Sequence, residues 1–184
     1  MTTATALGPP VDIGETVIDR ARRGDQEAFA AVIRYYDPGL RALAFRLVGD
    51  RDLMDDVLQE AYVKAFKGLP RFRGESRLGT WLYRIAYNAA MDELRRVRRS
   101  ETLPLEAELP SSNGDPGDVA ANRGDLARAL AALPPDERAA VLLVDAQGFD
   151  YRESAQILGI PQGTVASRLN RARALLRTAL GQTG

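Results

Sequence analysis

The sequence predicts an all-α fold of two small helical domains joined by a flexible acidic linker, with a helix-turn-helix in the C-terminal domain. Three observations predict this class. Apolar residues recur every three or four positions on both sides of the linker, as amphipathic helices require. No stretch alternates between apolar and polar residues as a half-buried strand does. The intervening stretch is rich in proline, glycine and acids and has no sustained helical period.

Composition divides the chain into four parts. Residues 1–13 are small, polar and contain proline, so we expect a disordered tail there. Helical domains are predicted over residues 14–99 and 123–184. The acidic linker is predicted at residues 100–122, which hold five acids and no basic residue.

The first domain should consist of helices that end at glycine-containing breaks. Three such breaks are visible, at Gly24-Asp25, Gly49-Asp50 and Gly68-Leu69-Pro70. Asp25 is expected to cap the helix after the first break, and Asp50 or Asp52 the helix after the second.

An acidic cluster lies on the helix predicted between the second and third breaks. Its members are Asp55, Asp56, Gln59 and Glu60. Like charges one turn apart, such as Asp56 and Glu60, destabilise a helix. The cluster therefore favours docking onto a basic protein surface. The alternative is a solvated helix face whose N-terminal acids suit the helix macrodipole.

The helix predicted from Thr80 onwards carries one tryptophan and two tyrosines within eight residues and ends in arginines. It is apolar on two sides, so Trp81 is expected in the core. A narrow polar ridge and the basic helix end remain to meet phosphates and bases. These candidate DNA-binding residues are Arg84, Asn88, Arg95, Arg96, Arg98 and Arg99.

The loop before this helix is polar and contains glycine, which suits the capture of an unstacked base. Its candidate DNA-binding residues are Phe72, Arg73, Gly74, Glu75, Ser76 and Arg77. Residues 71–99 hold eight arginines and three acids, so this part of the chain is locally basic. An ordinary solvated, arginine-rich surface is the alternative explanation of that charge.

The second domain has the turn chemistry of a helix-turn-helix. Asp150 and Glu153 form a predicted capping box at the start of a short helix. Gly159 should end that helix, and Pro161 should open a longer one. The two helices and their tight turn predict a DNA-binding unit, with a packed helical hairpin as the alternative.

The longer helix has one apolar stripe and an opposite polar face. The stripe consists of Val165, Leu169, Ala172 and Leu176. Such a helix fits the major groove, where its polar side chains reach base edges and flanking arginines reach phosphates. Its candidate DNA-binding residues are Thr164, Ser167, Arg168, Asn170, Arg171 and Arg173.

Composition argues against several other classes of protein. The chain has no cysteine and no histidine, which excludes disulfides and removes the commonest catalytic base. We therefore expect no catalytic residue, metal, cofactor or small-molecule substrate. The longest strictly apolar run, residues 139–144, is far shorter than a membrane span. We expect a cytoplasmic protein without membrane insertion.

Five motifs, in this order, resemble those of a bacterial family. They are DVLQEA at residues 56–61, FRG at 72–74, TWLYRIAYN at 80–88, LPP at 133–135 followed by Arg138, and GTVASR at 163–168 followed by RAR at 171–173. The family is that of RNA polymerase sigma factors of the extracytoplasmic-function (ECF) group, small members of the sigma-70 family with only regions two and four. The resemblance runs from about residue 14 to residue 180. Ala166 departs from it, because many members carry arginine or lysine there.

The resemblance implies a role for each candidate site. The acidic cluster would dock on core RNA polymerase, and the loop of residues 72–78 would capture a flipped base of the minus-ten promoter element. Asn88 and the arginines after it would hold the DNA edge where melting begins. The helix bearing Ser167, Arg168 and Arg171 would read the minus-thirty-five element. Core RNA polymerase and promoter DNA are the implied partners, and an anti-sigma factor is compatible with the family.

Two other functions stay open from the residues alone. One is a stand-alone helix-turn-helix regulator whose first domain senses a ligand or dimerises, and which binds a symmetric operator without polymerase. The other is an enzyme with paired carboxylates, Asp55-Asp56 or Asp92-Glu93, around a metal ion. Adjacent residues on a helix point about 100° apart and do not easily share one ion, which argues against the enzyme.

Overall fold

A computed structural model describes residues 13–101 and 118–181 of the protein. In chain order these residues form α1 (Glu15–Arg22), α2 (Gln26–Val48), α3 (Arg51–Gly68), α4 (Leu78–Glu101), α5 (Asp118–Ala132), α6 (Pro135–Val141), α7 (Tyr151–Leu158) and α8 (Gln162–Gly181). A 3-10 turn follows α3 at Leu69–Arg71, and a π-helical turn follows α6 at Leu142–Ala146. The described residues contain no strand, so the predicted all-α class is confirmed.

Local chemistry accounts for the starts of α2 and α3 and for the end of α2. The carboxylates of Asp25 and Asp50 each accept a hydrogen bond from the backbone amide three residues on, at 3.0 and 2.9 Å. Each therefore caps the helix that follows it, and Asp50, rather than Asp52, is the cap of α3. Gly49 ends α2 with a φ of 79°, a left-handed conformation that glycine adopts without steric cost.

α4 is buried on two sides, as its sequence predicts. Leu82, Tyr83 and Tyr87 are almost fully buried. Trp81 is only half-buried, and its ring packs against that of Phe72 with the centroids 5.2 Å apart. Trp81 therefore lies at the edge of the core rather than inside it, because the loop before α4 covers only part of its ring.

One continuous apolar core runs through both helical parts of the chain. Leu43 of α2 and Leu58 of α3 are 1% exposed, and Ile157 of α7 and Leu169 of α8 are fully buried. Burying one such side chain stabilises a fold by about 1.5–3 kcal/mol. α4 packs directly against α7, so the apolar core does not stop at the boundary between the two predicted domains.

The helix-turn-helix forms as its sequence predicts. The Asp150 carboxylate accepts from the Glu153 amide at 2.7 Å, and the Glu153 carboxylate accepts from the Asp150 amide at 3.2 Å. This reciprocal pair is the predicted capping box of α7. Gly159 ends α7 with a φ of 68°, and α8 begins at Gln162, one residue after Pro161.

The π-helical turn after α6 was not predicted from the sequence. There the Gln147 amide donates to the Leu142 carbonyl, five residues back, at 2.9 Å. Such a turn widens the helix by one residue, and the local spacing of apolar residues does not predict it. Its effect is to bring Gln147 into the buried interior, where the side chain is 8% exposed.

Helical structure extends into both ends of the predicted linker. α4 continues to Glu101, and α5 begins at Asp118. Basic residues in the last turn of α4 suit the negative end of the helix macrodipole, and the alanines near the start of α5 have high helix propensity. Nearly all of the predicted tail, and residues 102–117 of the predicted linker, lie outside the described residues. No described helix combines the length and the apolar character needed to cross a lipid bilayer.

Candidate functional site

The acidic cluster forms an exposed surface on α3. This acidic surface consists of Asp55, Asp56, Gln59 and Glu60, all of which are exposed. Asp55 lies 2.7 Å from an Arg41 nitrogen, and Glu60 lies 2.5 Å from the Lys64 ammonium. Exposed ion pairs contribute only about 0–1 kcal/mol, so a basic partner can compete for both carboxylates.

A hydrogen-bond network fixes the acidic surface to α2. The Arg41 guanidinium donates to Asp37 at 3.0 Å and to Asp55 at 2.7 Å, and the Tyr62 hydroxyl donates to Asp37 at 2.5 Å. The hydrogen bond with Asp55 raises the pKa of Arg41, and burial, followed by the bond to Asp37, raises the pKa of Tyr62. Sequence reasoning missed Asp37 and Arg41 because they lie on a different helix from the cluster.

A cleft of about 440 Å³ opens beside the start of α4. Its lining consists of Arg71, Phe72, Arg73, Glu75, Ser76, Thr80, Trp81, Arg84 and, from α7, Gln156. Three guanidinium groups beside two aromatic rings suit the phosphate and the base of a nucleotide. The structure thus brings four of the six predicted loop residues, and one from the α4 ridge, to a single cleft. Gly74 turns the loop with a φ of 75°.

Thr80 lines this cleft with a buried hydroxyl group. The residue is 2% exposed, and its hydroxyl oxygen has no hydrogen-bond partner within the part of the chain that the structure describes. A buried polar group left unpaired costs about 1–3 kcal/mol, but this oxygen is shielded from solvent, so a ligand in the cleft reaches it only if the surrounding side chains move. In the sequence Thr80 stands out only as the first residue of a motif, because its burial depends on the fold.

The polar ridge of α4 runs along the helix from the cleft. Arg84, Asn88 and Arg95 are exposed on one side of α4, as their helical spacing predicts. Arg95 pairs with Asp92, one turn back on the same helix. That pair is exposed and gives way readily to a phosphate.

The basic end of α4 lies near the acidic surface. Arg96, Arg98 and Arg99 are exposed there, and the Arg96 guanidinium donates two hydrogen bonds of 2.8 Å to Glu93. The pairing with Glu93 raises the pKa of Arg96, with smaller contributions from Asp56 and Glu60. Arg96, one of the predicted DNA-holding arginines, is therefore close enough to Asp56 and Glu60 to feel their charge.

The face of α8 predicted to read DNA is partly exposed. The buried apolar stripe turns Ser167, Asn170 and Arg171 towards solvent. The Ser167 hydroxyl donates to the Thr164 carbonyl at 3.0 Å, which leaves its oxygen able to accept a hydrogen bond from a base. This exposed group is the part of α8 that a major groove can meet directly.

The two arginines that flank this face are held by carboxylates that the sequence analysis did not single out. Arg168 lies 3.0 Å from Asp136 of α6. Arg173 donates to both oxygens of Asp145 in the π-helical turn, at 3.0 and 2.6 Å, and this pairing raises the pKa of Arg173. Both pairs join elements distant in sequence, so no local pattern could have shown them.

The loop before α4 and the helix-turn-helix lie side by side. A nitrogen of Arg77 lies 3.3 Å from a carboxylate oxygen of Glu153 in the first turn of α7. Arg84 also lines a shallow groove with Gly159 and Gln162, in and just after the turn between α7 and α8. The two predicted DNA-binding surfaces, expected on separate domains, are adjacent in this structure.

Two family models match the chain, and together they contain every candidate site residue. The model "Sigma-70 region 2" matches residues 32–100, which include the acidic surface, the loop before α4 and the α4 ridge. The model "Sigma-70, region 4" matches residues 123–176, which include the helix-turn-helix and the candidate residues of α8.

Curated relatives match both parts at once. The ECF RNA polymerase sigma factor SigM of Mycobacterium tuberculosis is 39% identical over 158 residues, which cover 86% of this chain and 80% of that protein. The ECF RNA polymerase sigma-E factor of Escherichia coli K12 is 37% identical over 172 residues, covering 86% of this chain and 90% of that protein.

Two solved structures are similar in fold. One is CnrH in complex with the cytosolic domain of CnrY, with a TM-score of 0.70 and 26% identity, covering 92% of this chain and 97% of that one. The other is the sigma factor RpoE of Bartonella quintana in complex with the anti-sigma factor NepR. Its TM-score is 0.67 at 32% identity, covering 83% of this chain and 96% of that one.

Proposed function

The chain belongs to the ECF RNA polymerase sigma factors, and on that premise we propose that it binds core RNA polymerase, recognises minus-ten and minus-thirty-five promoter elements and promotes DNA melting. It acts in the cytoplasm, where its relatives' partner enzyme works. It contributes binding surfaces and no bond-making residue of its own. The polymerase supplies the chemistry.

The observation that carries this proposal is the cleft beside α4. Its guanidinium groups, the Phe72–Trp81 ring pair and the polar side chains of Ser76 and Gln156 combine charge, stacking and hydrogen-bonding groups in one place. Stacking on an aromatic ring contributes about 1–3 kcal/mol per base, comparable to the few kcal/mol needed to unstack and flip one base. Capture of a flipped minus-ten base in this cleft therefore offsets part of the cost of melting.

The remaining surfaces take complementary roles in the proposal. Residues 14–99 act as the region-two domain and residues 123–184 as the region-four domain, joined by the linker at residues 100–122. The acidic surface docks on polymerase, and Asn88 with the arginines of α4 holds the edge of the melted DNA. Ser167, Asn170 and Arg171 read the minus-thirty-five element, with Thr164, Arg168 and Arg173 beside them. An anti-sigma factor is a further partner of the kind named for the Bartonella quintana relative.

A stand-alone regulator is not favoured as an alternative. A regulator needs its first part for ligand sensing or dimerisation, whereas the relatives match both helical parts over most of their length. The enzyme alternative is not favoured either, because the curated relatives that match both helical parts are named as sigma factors.

Transcription in vitro with purified core polymerase and a library of genomic fragments tests the proposal. We expect defined start sites that appear only when the chain is added. A chain that neither associates with core polymerase nor directs such starts would contradict it.

A charge-reversed variant tests the docking surface separately. Asp56→Lys/Glu60→Lys should lose binding to core polymerase while keeping its helical content by circular dichroism. The matched control is Glu15→Lys/Asp19→Lys, which reverses two exposed acids at the same spacing on α1 and should bind normally. Equal binding by both variants would show that the acidic surface is not the docking site.

A further inference from the structure

Buried contacts join the two helical parts of the chain. The Tyr83 hydroxyl of α4 donates to the Gln147 side-chain oxygen at 2.8 Å. The Tyr83 ring also meets the Phe149 ring edge-on, with the centroids 4.7 Å apart. These three side chains are 2%, 8% and 3% exposed. A buried polar group of each part thus has its hydrogen-bond partner in the other part.

α2 leaves room for this contact at Gly39. A Cβ atom at this position would lie 1.9 Å from the Tyr83 hydroxyl oxygen and 3.0 Å from the Gln147 side-chain oxygen. Only a residue without a side chain admits both groups. Three elements, α2, α4 and the end of the π-helical turn, therefore converge on one point.

Arg138 makes a second set of contacts across the same boundary. Its guanidinium donates to the Arg46 and Leu47 carbonyls at the end of α2, at 3.2 and 3.0 Å. It also donates to the Ala131 and Leu133 carbonyls near the end of α5, at 2.5 and 2.9 Å. Carbonyls at helix ends lack partners within their own helix, so this one cation ties the two parts together.

This closed arrangement, in which the two helical parts are in contact, is incompatible with binding both promoter elements at once. Elements centred near positions minus ten and minus thirty-five are roughly 85 Å apart along B-form DNA, at about 3.4 Å per base pair. In the structure, Arg77 of the loop before α4, which is proposed to bind the minus-ten element, lies 3.3 Å from Glu153 of the helix-turn-helix. Arg168, a candidate DNA contact, is half-buried beside Asp136. One chain cannot hold both elements while its two parts are in contact.

We propose that Tyr83, Gln147 and Phe149 form a latch that holds the free chain closed, and that this latch opens when the chain engages polymerase and promoter. The closed state rests on the contacts alone. Its consequence for promoter binding rests on the proposed function. Apparent affinity scales with the open fraction of the chain, so the strength of the latch sets how much of the protein is needed to initiate transcription.

A distance measurement on the intact chain tests the closed state. Because the chain has no cysteine, the exposed residues Arg34 of α2 and Leu175 of α8 can be replaced with cysteine and spin-labelled without background. Double electron–electron resonance should give one narrow distance distribution in the free protein. Saturating core polymerase should shift it to longer distances. A broad, long distribution in the free protein would overturn the latch.

A double-mutant cycle tests the residues of the latch. Tyr83→Phe and Gln147→Leu each leave one buried polar group without its partner, and each should shift the closed-to-open ratio about tenfold towards open. The double variant leaves neither group unpaired, so it should recover the closed distribution. Wild-type distributions for both single variants would contradict the assignment of the latch.

A matched pair of glycine substitutions gives an independent check. Gly39→Ala should open the chain, because its Cβ displaces the Tyr83 hydroxyl. Gly124→Ala also adds a methyl group to a helix, but its Cβ would lie 3.8 Å from its nearest neighbour and should leave the chain closed. Circular dichroism must show native helical content for both. Equal distance distributions in the two variants would count against the latch.

Promoter-dependent transcription separates the latch from the proposed function. Tyr83→Phe and Gln147→Leu should reach half-maximal transcription at a chain concentration several-fold below that of the wild type, up to about tenfold. An open distance distribution without any gain in apparent affinity would overturn the inhibitory role and leave the sigma-factor function intact. Failure of the wild-type chain to support transcription would overturn that function and leave the distance result standing.

Discussion

Single side chains decide what each candidate surface is able to contact. On α8, Arg168 and Arg173 are held by Asp136 and Asp145, whereas Arg171 is exposed on the face opposite the apolar stripe. An ion pair at a partly exposed site is worth about 1 kcal/mol or less. If α8 binds DNA as proposed, displacing the two carboxylates costs little. Arg171 needs no such exchange with an acid of the described residues.

Replacing Arg171 tests whether this single side chain recognises the minus-thirty-five element. Arg171→Ala should weaken binding of the minus-thirty-five element by about 1–3 kcal/mol if its guanidinium reads a base. The measurement is competition between matched and mismatched promoters for the chain bound to core polymerase. Arg177→Ala removes another exposed arginine of α8 and should leave the preference between promoters unchanged. Equal losses of preference in the two variants would rule out base reading by Arg171.

The buried Tyr83 hydroxyl should make the free energy of unfolding decrease at alkaline pH. Burial raises the pKa of Tyr83 above its usual value of about 10, so the folded chain favours the neutral phenol. The stabilisation is fully present below pH about 10 and is lost as the pH rises through the folded pKa, by about 1.4 kcal/mol per pH unit. Urea unfolding between pH 8 and 11.5 should show a smaller loss for Tyr83→Phe than for the wild type. If the free energy of unfolding fell equally with pH in both proteins, ionisation of Tyr83 would not be the cause.

At the scale of the element, capped helix starts were predictable and one turn was not. Asp25 and Asp150 were recognisable as caps, and Asp50 was one of two candidates, because a capping side chain bonds an amide only three residues away. The π-helical turn was not recognisable, because it depends on where the widened turn places Gln147 in the interior. Capping is local chemistry, whereas this turn is selected by what packs against it.

The capping box of α7 should be a measurable part of the helix-turn-helix. Asp150→Ala removes the acceptor of the Glu153 amide and should lower the free energy of unfolding by about 1 kcal/mol. Asp150→Asn keeps an acceptor oxygen and should cost much less. Urea unfolding followed by circular dichroism measures both. Equal losses in the two variants would mean that the charge of Asp150, rather than its hydrogen bond, stabilises α7.

At the scale of the whole molecule, acidic and basic residues balance, and carboxylates neutralise part of each proposed DNA-binding surface. The chain has 25 basic and 25 acidic residues, and carboxylates pair with Arg95, Arg96, Arg168 and Arg173. Affinity for duplex DNA depends mainly on how many phosphates the protein neutralises. We therefore expect that the free chain needs polymerase to bind a promoter well.

Duplex binding by the isolated chain tests this charge distribution. We expect a dissociation constant of about 1–100 μM at physiological salt, nearly equal for promoter and scrambled duplexes, because only non-specific phosphate contacts contribute. Fluorescence anisotropy over a range of salt concentrations measures the affinity and its salt dependence. Sub-micromolar binding that prefers the promoter duplex would contradict both the charge argument and the need for polymerase.

The sequence by itself determined the all-α class, the helix-turn-helix, the caps Asp25 and Asp150 and the exposed faces of α3, α4 and α8. Each of these follows from residues a few positions apart, whose relative placement the helix geometry already fixes. Only the tertiary structure decided that Thr80 is buried beside a cleft, that Asp136 and Asp145 hold Arg168 and Arg173, and that Tyr83 meets Gln147. Those contacts join residues brought together by packing, and a one-dimensional pattern carries no distance between two helices.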